Sequence, residues 1–190
     1  MIDTTLLPAF YATDERYQRA YAVARANAQG RVWLLGGYVA RSLAHLTYGT
    51  PFPEKVDLDF LCEQLTPEPV VSAHLHVKRN RYGNPRVVGE HLVIDLMPFT
   101  IQNFPILRER GLPLTIENVL IRAPLTTGAI AYDTATGTVT GEAGLRAVET
   151  RTVAVHDAAE AADTARQLHW SVEHLVRHKA ASYGFTPLVP

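Results

Sequence analysis

The chain has 190 residues, room for one compact domain with a short appendage. Hydrophobic residues make up 47% of it and charged residues 19%, which excludes a disordered, highly charged polymer. A net charge of −1 excludes a protein that coats nucleic acid through a general basic excess, because phosphate contacts supply most sequence-independent affinity.

In chain order, Asp14 predicts the N-cap of a helix over 14–27, with Tyr17, Tyr21, Ala24 and Ala28 on one face and Gly30 as the stop. Residues 31–35 read as a short strand ended by Gly36-Gly37. Residues 38–48 read as a helix with Val39, Leu43 and Leu46 at helical spacing. A Gly/Pro loop over 49–53 leads to a strand at 56–61. After Pro67 and Pro69, the runs 70–77 and 86–96, separated by Tyr82-Gly83-Asn84-Pro85, read as a hairpin. A short helix is expected at 102–110, ending at Gly111, with strands at 116–121 and 129–132, then a turn cluster at 133–137 and 138–140. Residues 158–183 read as one long amphipathic helix with Leu168, Val172, Leu175 and Val176 as its apolar stripe. Helices and strands interleave around a central hairpin, which predicts a mixed, α+β-like α/β sheet: a main domain over 1–157 and a C-terminal helix and tail over 158–190.

The lone cysteine, Cys62, ends an apolar run and reads as a buried hydrophobe. The N-terminus shows no secretory pattern, and no apolar run approaches the roughly 18–20 residues that span a bilayer, so a soluble cytoplasmic protein is expected.

Three features carry chemistry: Gly36-Gly37 between a strand and a helix, Asp57-Leu58-Asp59 on the next strand, and Asp95 on a later one. Residues i and i+2 of a strand share a face, so Asp57 and Asp59 project together while Val56, Leu58 and Phe60 face the core. Paired carboxylates on a half-buried strand are unfavourable without a cation. Asp95, in Leu92-Val93-Ile94-Asp95-Leu96, points away from Leu92, Ile94 and Leu96. Hard oxygen ligands of this kind suit Mg²⁺ or Mn²⁺, so Asp57, Asp59 and Asp95 are the candidate catalytic and metal-ligating residues. A glycine pair lets backbone approach a phosphate closely, and the following helix N-terminus offers free amides, so Gly36 and Gly37 are candidate nucleotide-binding residues, with Arg41 and Lys78 as candidate cations.

These residues resemble the head domain of the tRNA-nucleotidyltransferase and poly(A)-polymerase family, in the DNA polymerase beta-like nucleotidyltransferase superfamily. Leu34-Leu35-Gly36-Gly37-Tyr38-Val39 is similar to its diglycine motif, Val56-Asp57-Leu58-Asp59-Phe60 to its catalytic strand, and Ile94-Asp95-Leu96-Met97-Pro98-Phe99 to its strand with a third acidic residue. Leu114-Thr115-Ile116-Glu117-Asn118 and Gly141-Glu142-Ala143-Gly144-Leu145 resemble two later segments, and Arg166-Gln167-Leu168 the start of the neck helix. The departures are Ala40-Arg41 and Leu112-Pro113, where the family usually has Arg-Asp, and Thr100, where it often has arginine; they bear on base selection and triphosphate grip. The resemblance implies a polymerase-beta-type head that is a metal-dependent transferase. It would move a nucleoside monophosphate from NTP to a hydroxyl acceptor (an RNA 3′ end or a small hydroxyl compound, as in antibiotic-type enzymes) and release pyrophosphate. Only one helix follows the head, so templated CCA synthesis is not expected. A nucleotide- or partner-binding module without turnover is the competing expectation, as is a homodimer or partner subunit docked through the C-terminal helix.

Lys78, Arg79, Arg81 and Arg86 cluster at the hairpin and either face triphosphate or RNA backbone or form a solvated tip; Arg177 and Lys179 are further candidates for RNA phosphate contacts. His174 and His178 are four apart on the last helix but lack a third ligand, so they read as surface or packed histidines.

Overall fold

The computed structural model describes residues 2–80 and 82–189; Arg81 of the basic cluster lies outside them. Its frame is a seven-stranded mixed sheet in the order β3-β4-β5-β2-β1-β6-β7. The strands are β1 (Val32–Leu35), β2 (Val56–Cys62), β3 (His76–Arg79), β4 (Pro85–Val88), β5 (Leu92–Pro98), β6 (Ala131–Asp133) and β7 (Val139–Thr140). Within this sheet β2 and β5 pair in parallel. The other neighbours are antiparallel. A second, two-stranded parallel sheet joins β8 (Thr152–Ala154) to β9 (Thr186–Leu188).

Period-two alternation in the strands sorts the side chains into two cores. On one face Val32, Leu34, Leu58, Phe60, Ile94 and Leu96 pack beneath α1 (Leu7–Thr13), α2 (Glu15–Asn27) and α3 (Gly37–Tyr48). Asp14 caps α2 through Arg16 N, and Tyr17, Ala20, Ala24 and Asn27 form its buried stripe. On the opposite face Trp33, Leu35 and Leu61 are covered by Leu107 of α4 (Pro105–Glu109) and by Val119 and Leu120 of α5 (Ile116–Leu120). That cover reaches only part of the second face, and the neighbouring part carries the aspartates.

Four expectations change. The run 70–75 is not strand: the side-chain amide of Asn27 takes both backbone groups of Val70, accepting from its N–H at 2.7 Å and donating to its carbonyl at 3.0 Å. The run 86–96 is two strands, because Gly89 N donates to Leu92 O at 2.8 Å and closes a turn over 89–91. Residues 116–120 are helical rather than extended, and Ile121 is the C-cap. Thr115 caps the helix by accepting from Asn118 N, and Ile116, Val119 and Leu120 fall at helical spacing onto the sheet. The last helix is two, α7 (Ala158–Gln167) and α8 (Val172–Tyr183), broken where His169 takes φ +57° and Ser171 caps a new helix through His174 N.

Leu175, Val176, Ala180 and Tyr183 of α8 belong to the same core as the sheet. Of the expected stripe, Leu175 and Val176 are therefore consumed internally, and only Leu168 is exposed. Cys62 is fully buried as expected, and burial pushes its thiol up to about 12. His174 and His178 are exposed and lie against the Trp170 ring at 4.7 and 4.8 Å between centroids, so they are surface histidines resting on one aromatic side chain. Among the described residues no helix is long and apolar enough to cross a membrane.

Candidate active site

Strand registers place one row of residues across the uncovered part of the sheet. Lys78 pairs with Arg86, Arg86 with Asp95, Asp95 with Asp59, and Asp59 with Leu35, immediately before Gly36. The sheet thus brings Asp57, Asp59 and Asp95 onto one face and sets Asp59 beside the end of β1 from which the diglycine turns away.

The three carboxylates have different surroundings. Asp57 is exposed and Asp59 half-buried, at the two outward positions of β2. Burial first, then the carboxylates of Asp95 and Asp57, push the Asp59 carboxyl up to about 7, against partial relief from Lys179 and Arg86. Asp95 is buried and already engaged. Arg86 donates from Nε to Oδ1 at 3.0 Å and from Nη2 to Oδ2 at 2.6 Å, and Asn80 Nδ2 donates to Oδ1 at 3.1 Å. That two-pronged pairing neutralises Asp95 and holds the Arg86 guanidinium above its ordinary value. Among the described residues no group of three or more His, Cys, Asp or Glu side chains is assembled to hold a metal ion. Asp57 and Asp59 share the outward face of β2, and Asp95, opposite Asp59 on β5, is tied back by Arg86.

The diglycine lies where the carboxylates need it. Gly36 takes φ +62°, ψ −127°, a backbone region that disfavours a Cβ, and its N–H donates to Ile130 O at 2.7 Å. This turn lets α3 start at Gly37, and a helix start leaves first-turn amides without intrahelical acceptors. The space a Gly37 side chain would occupy is bordered by Lys179 Nζ at 3.5 Å and Tyr183 Oη at 3.6 Å. The Tyr183 hydroxyl donates to Gly37 O at 2.8 Å, fastening α8 to the first turn of α3.

The two candidate cations lie elsewhere. Arg41 is 8% exposed and turned into the interior. Its guanidinium stacks over Tyr183 at 3.9 Å and donates to the carbonyl and hydroxyl of Ser182, so it clamps α3 to α8. Lys78 is exposed on β3, three strands from Asp59, or about 14 Å at ordinary strand spacing. Arg86 and Lys179 are the cations nearest the carboxylates; the sequence pattern offers Arg86 to the triphosphate only as one of the hairpin cluster and does not offer Lys179 to the nucleotide. Arg86 sat in the basic hairpin cluster, and only the 89–91 turn sets it opposite Asp95. A groove of about 660 Å³ between α6 (Glu142–Thr150) and the β8–β9 sheet, lined by Thr126, Arg146, Thr152 and Leu188 among others, includes none of these residues.

The chain is a mixed α/β fold in which paired aspartates on β2 stand beside a strand–diglycine–helix turn. The same fold occurs in the solved complex of a CCA-adding enzyme with CTP, which matches with a TM-score of 0.54 and 15% identity over 89% of this chain and 41% of that one. A tRNA-processing enzyme with CTP matches at TM-score 0.48 and 18% identity, covering 84% and 40% of the two chains. A tRNA nucleotidyltransferase with a primer tRNA and an incoming ATP analog matches at 0.47 and 17%, covering 84% and 43%. The chain spans about two fifths of the length of these structures. The sequence matches no protein-family model and no curated protein.

Proposed function

We propose that the chain is the catalytic head of a nucleotidyltransferase, moving a nucleoside monophosphate from an NTP to a hydroxyl acceptor with release of pyrophosphate. The observation that carries this is Asp57 and Asp59 side by side on β2 at the end of β1, with the Asp59 carboxyl pushed up to about 7 beside the diglycine turn. A pair so short of positive charge favours a divalent cation, and Mg²⁺ or Mn²⁺ bound there would neutralise phosphate charge in an in-line displacement. The chain's own residues position the rest. The first turn of α3 presents amides to the phosphates, and the Arg86–Asp95 pair holds β4 against β5 beneath the carboxylates. The CCA-adding fold favours an RNA 3′ end as acceptor over a small hydroxyl compound.

One observation favours a second reading, a module that binds NTP without turnover: Asp95 is bound by Arg86 rather than free for a cation. Incubating the protein with each α-labelled NTP, Mg²⁺ or Mn²⁺, and total RNA or small hydroxyl compounds separates the two. Label transferred to an acceptor supports the enzyme. Under either reading, an NTP at about 100 times its Kd raises apparent stability by about 2.7 kcal/mol, and EDTA removes most of that gain. The absence of any metal-dependent melting shift with all four NTPs would discard the nucleotide site altogether.

A further inference from the structure

The nucleotide-site reading leaves open which cation of this chain meets the phosphates. Of the basic residues around the carboxylates and the diglycine, Arg41 is folded into the α3–α8 contact, Arg86 is bound to Asp95, and Lys78 stands on the far edge strand. Lys179 is placed differently. From α8 it brings its ammonium to the space beside Gly37, at the N-terminal turn of the twelve-residue helix α3, and its charge reaches Asp59. Among the described residues no carboxylate lies within 4 Å of it; its neighbour is the Tyr183 ring, 5.6 Å from ammonium to centroid. The N-terminus of a helix is its positive end, so an ammonium held there is electrostatically unfavourable, and Asp59 offsets this only at longer range than an ion pair. Tyr183 nevertheless fixes the approach by donating to Gly37 O, one turn from Lys179 on the same helix. A cation held against a positive helix end, beside two carboxylates suited to a divalent metal, is the arrangement that an anionic phosphate chain completes.

We propose that Lys179 is the residue that binds the triphosphate, so that the C-terminal helix, and not the segment after the diglycine, supplies the phosphate-binding cation of this site. This rests on the nucleotide-site reading above. The geometry gives the lysine charge recognition and no base selectivity: it lies at the diglycine and contacts whatever phosphate sits over the first turn of α3.

The test uses the full chain with Mg²⁺ and three probes: ATP, inorganic tripolyphosphate and adenosine. Lys179→Gln is expected to weaken ATP and tripolyphosphate by about tenfold or more, as loss of one charge-assisted contact does, and to leave adenosine unchanged. Lys179→Arg is expected to keep most of the affinity, and the ligand-free melting temperature of both variants to stay near that of the wild type, because the ammonium makes no ion pair in the free protein. Unchanged ATP affinity in Lys179→Gln overturns the proposal, and so does an equal loss for ATP and adenosine, which would mark a structural role. If the wild-type protein binds neither ATP nor tripolyphosphate, the nucleotide site itself is refuted and this assignment falls with it.

Discussion

Replacing Asp59 by Asn is expected to lower nucleotidyl transfer by on the order of 10³-fold or more while making the metal-free protein more stable above pH 7. The activity loss follows from position: Asp59 is paired with Asp95, stands opposite Leu35 beside the diglycine, and shares its face with Asp57. The stability gain follows from linkage. The carboxyl titrates at about 7 in the folded chain and near 4 in the unfolded one, so between these values the folded state holds the extra proton. The favourable neutral form is fully populated below about pH 4, and its contribution disappears as pH rises through 7. Asparagine removes that dependence and leaves about 1–2 kcal/mol more stability at pH 8, allowing for the solvent that reaches this half-buried group. Urea unfolding in EDTA at pH 5 and pH 8 reads this directly. A variant less stable than wild type at pH 8 would show that Asp59 is a structural carboxylate instead. Asp57→Asn is expected to abolish transfer equally, with a smaller effect on stability because Asp57 is exposed.

The aspartate pair could be read from sequence because it needs only the period of one strand: Val56, Leu58 and Phe60 alternate with Asp57 and Asp59, and the structure keeps that alternation. The diglycine could be read because glycine reports a backbone requirement locally, and Gly36 indeed takes φ +62°. What remained hidden depends on register or on distant partners. The Arg86–Asp95 pair exists only because the 89–91 turn, inside a run that looks continuously extended, folds β4 back on β5. Residues 116–121 include the β-branched Ile116, Val119 and Ile121, and the Thr115 cap together with the α5-side core outweighs their preference for strand. The break between α7 and α8 rests on His169, a residue with no strong breaking tendency, held at φ +57°. Lys179 lies more than 140 positions after Gly37, and nothing in its local pattern marks it as a residue of the site.

Gly144→Ala is expected to be among the most damaging single substitutions to the fold, costing about 2–4 kcal/mol. A Cβ at Gly144 would stand 2.6 Å from Ile130 Cβ and 2.8 Å from Ala129 O, and neither can withdraw cheaply, since one belongs to a fully buried side chain and the other is backbone. The preceding Gly141 shows the same constraint, with φ +117° and a would-be Cβ 2.3 Å from Ala129 O. The two glycines let α6 press against residues 129–130, where Gly144 N donates to Ala129 O at 3.2 Å. The next carbonyl, Ile130 O, accepts the Gly36 N–H, so the same two residues join α6 to the turn at the head of α3. Displacing them by even part of an ångström loosens the diglycine, and any folded Gly144→Ala protein is expected to bind NTP more weakly than wild type. Gly111→Ala is the control: Gly111 has φ +62° but nothing within 4 Å of a Cβ, so it carries strain without collision and is expected to cost only about 1 kcal/mol. Equilibrium urea unfolding of the two variants decides the matter. A Gly144→Ala protein no less stable than Gly111→Ala would mean that α6 can shift away from Ala129 freely and that the diglycine does not depend on it.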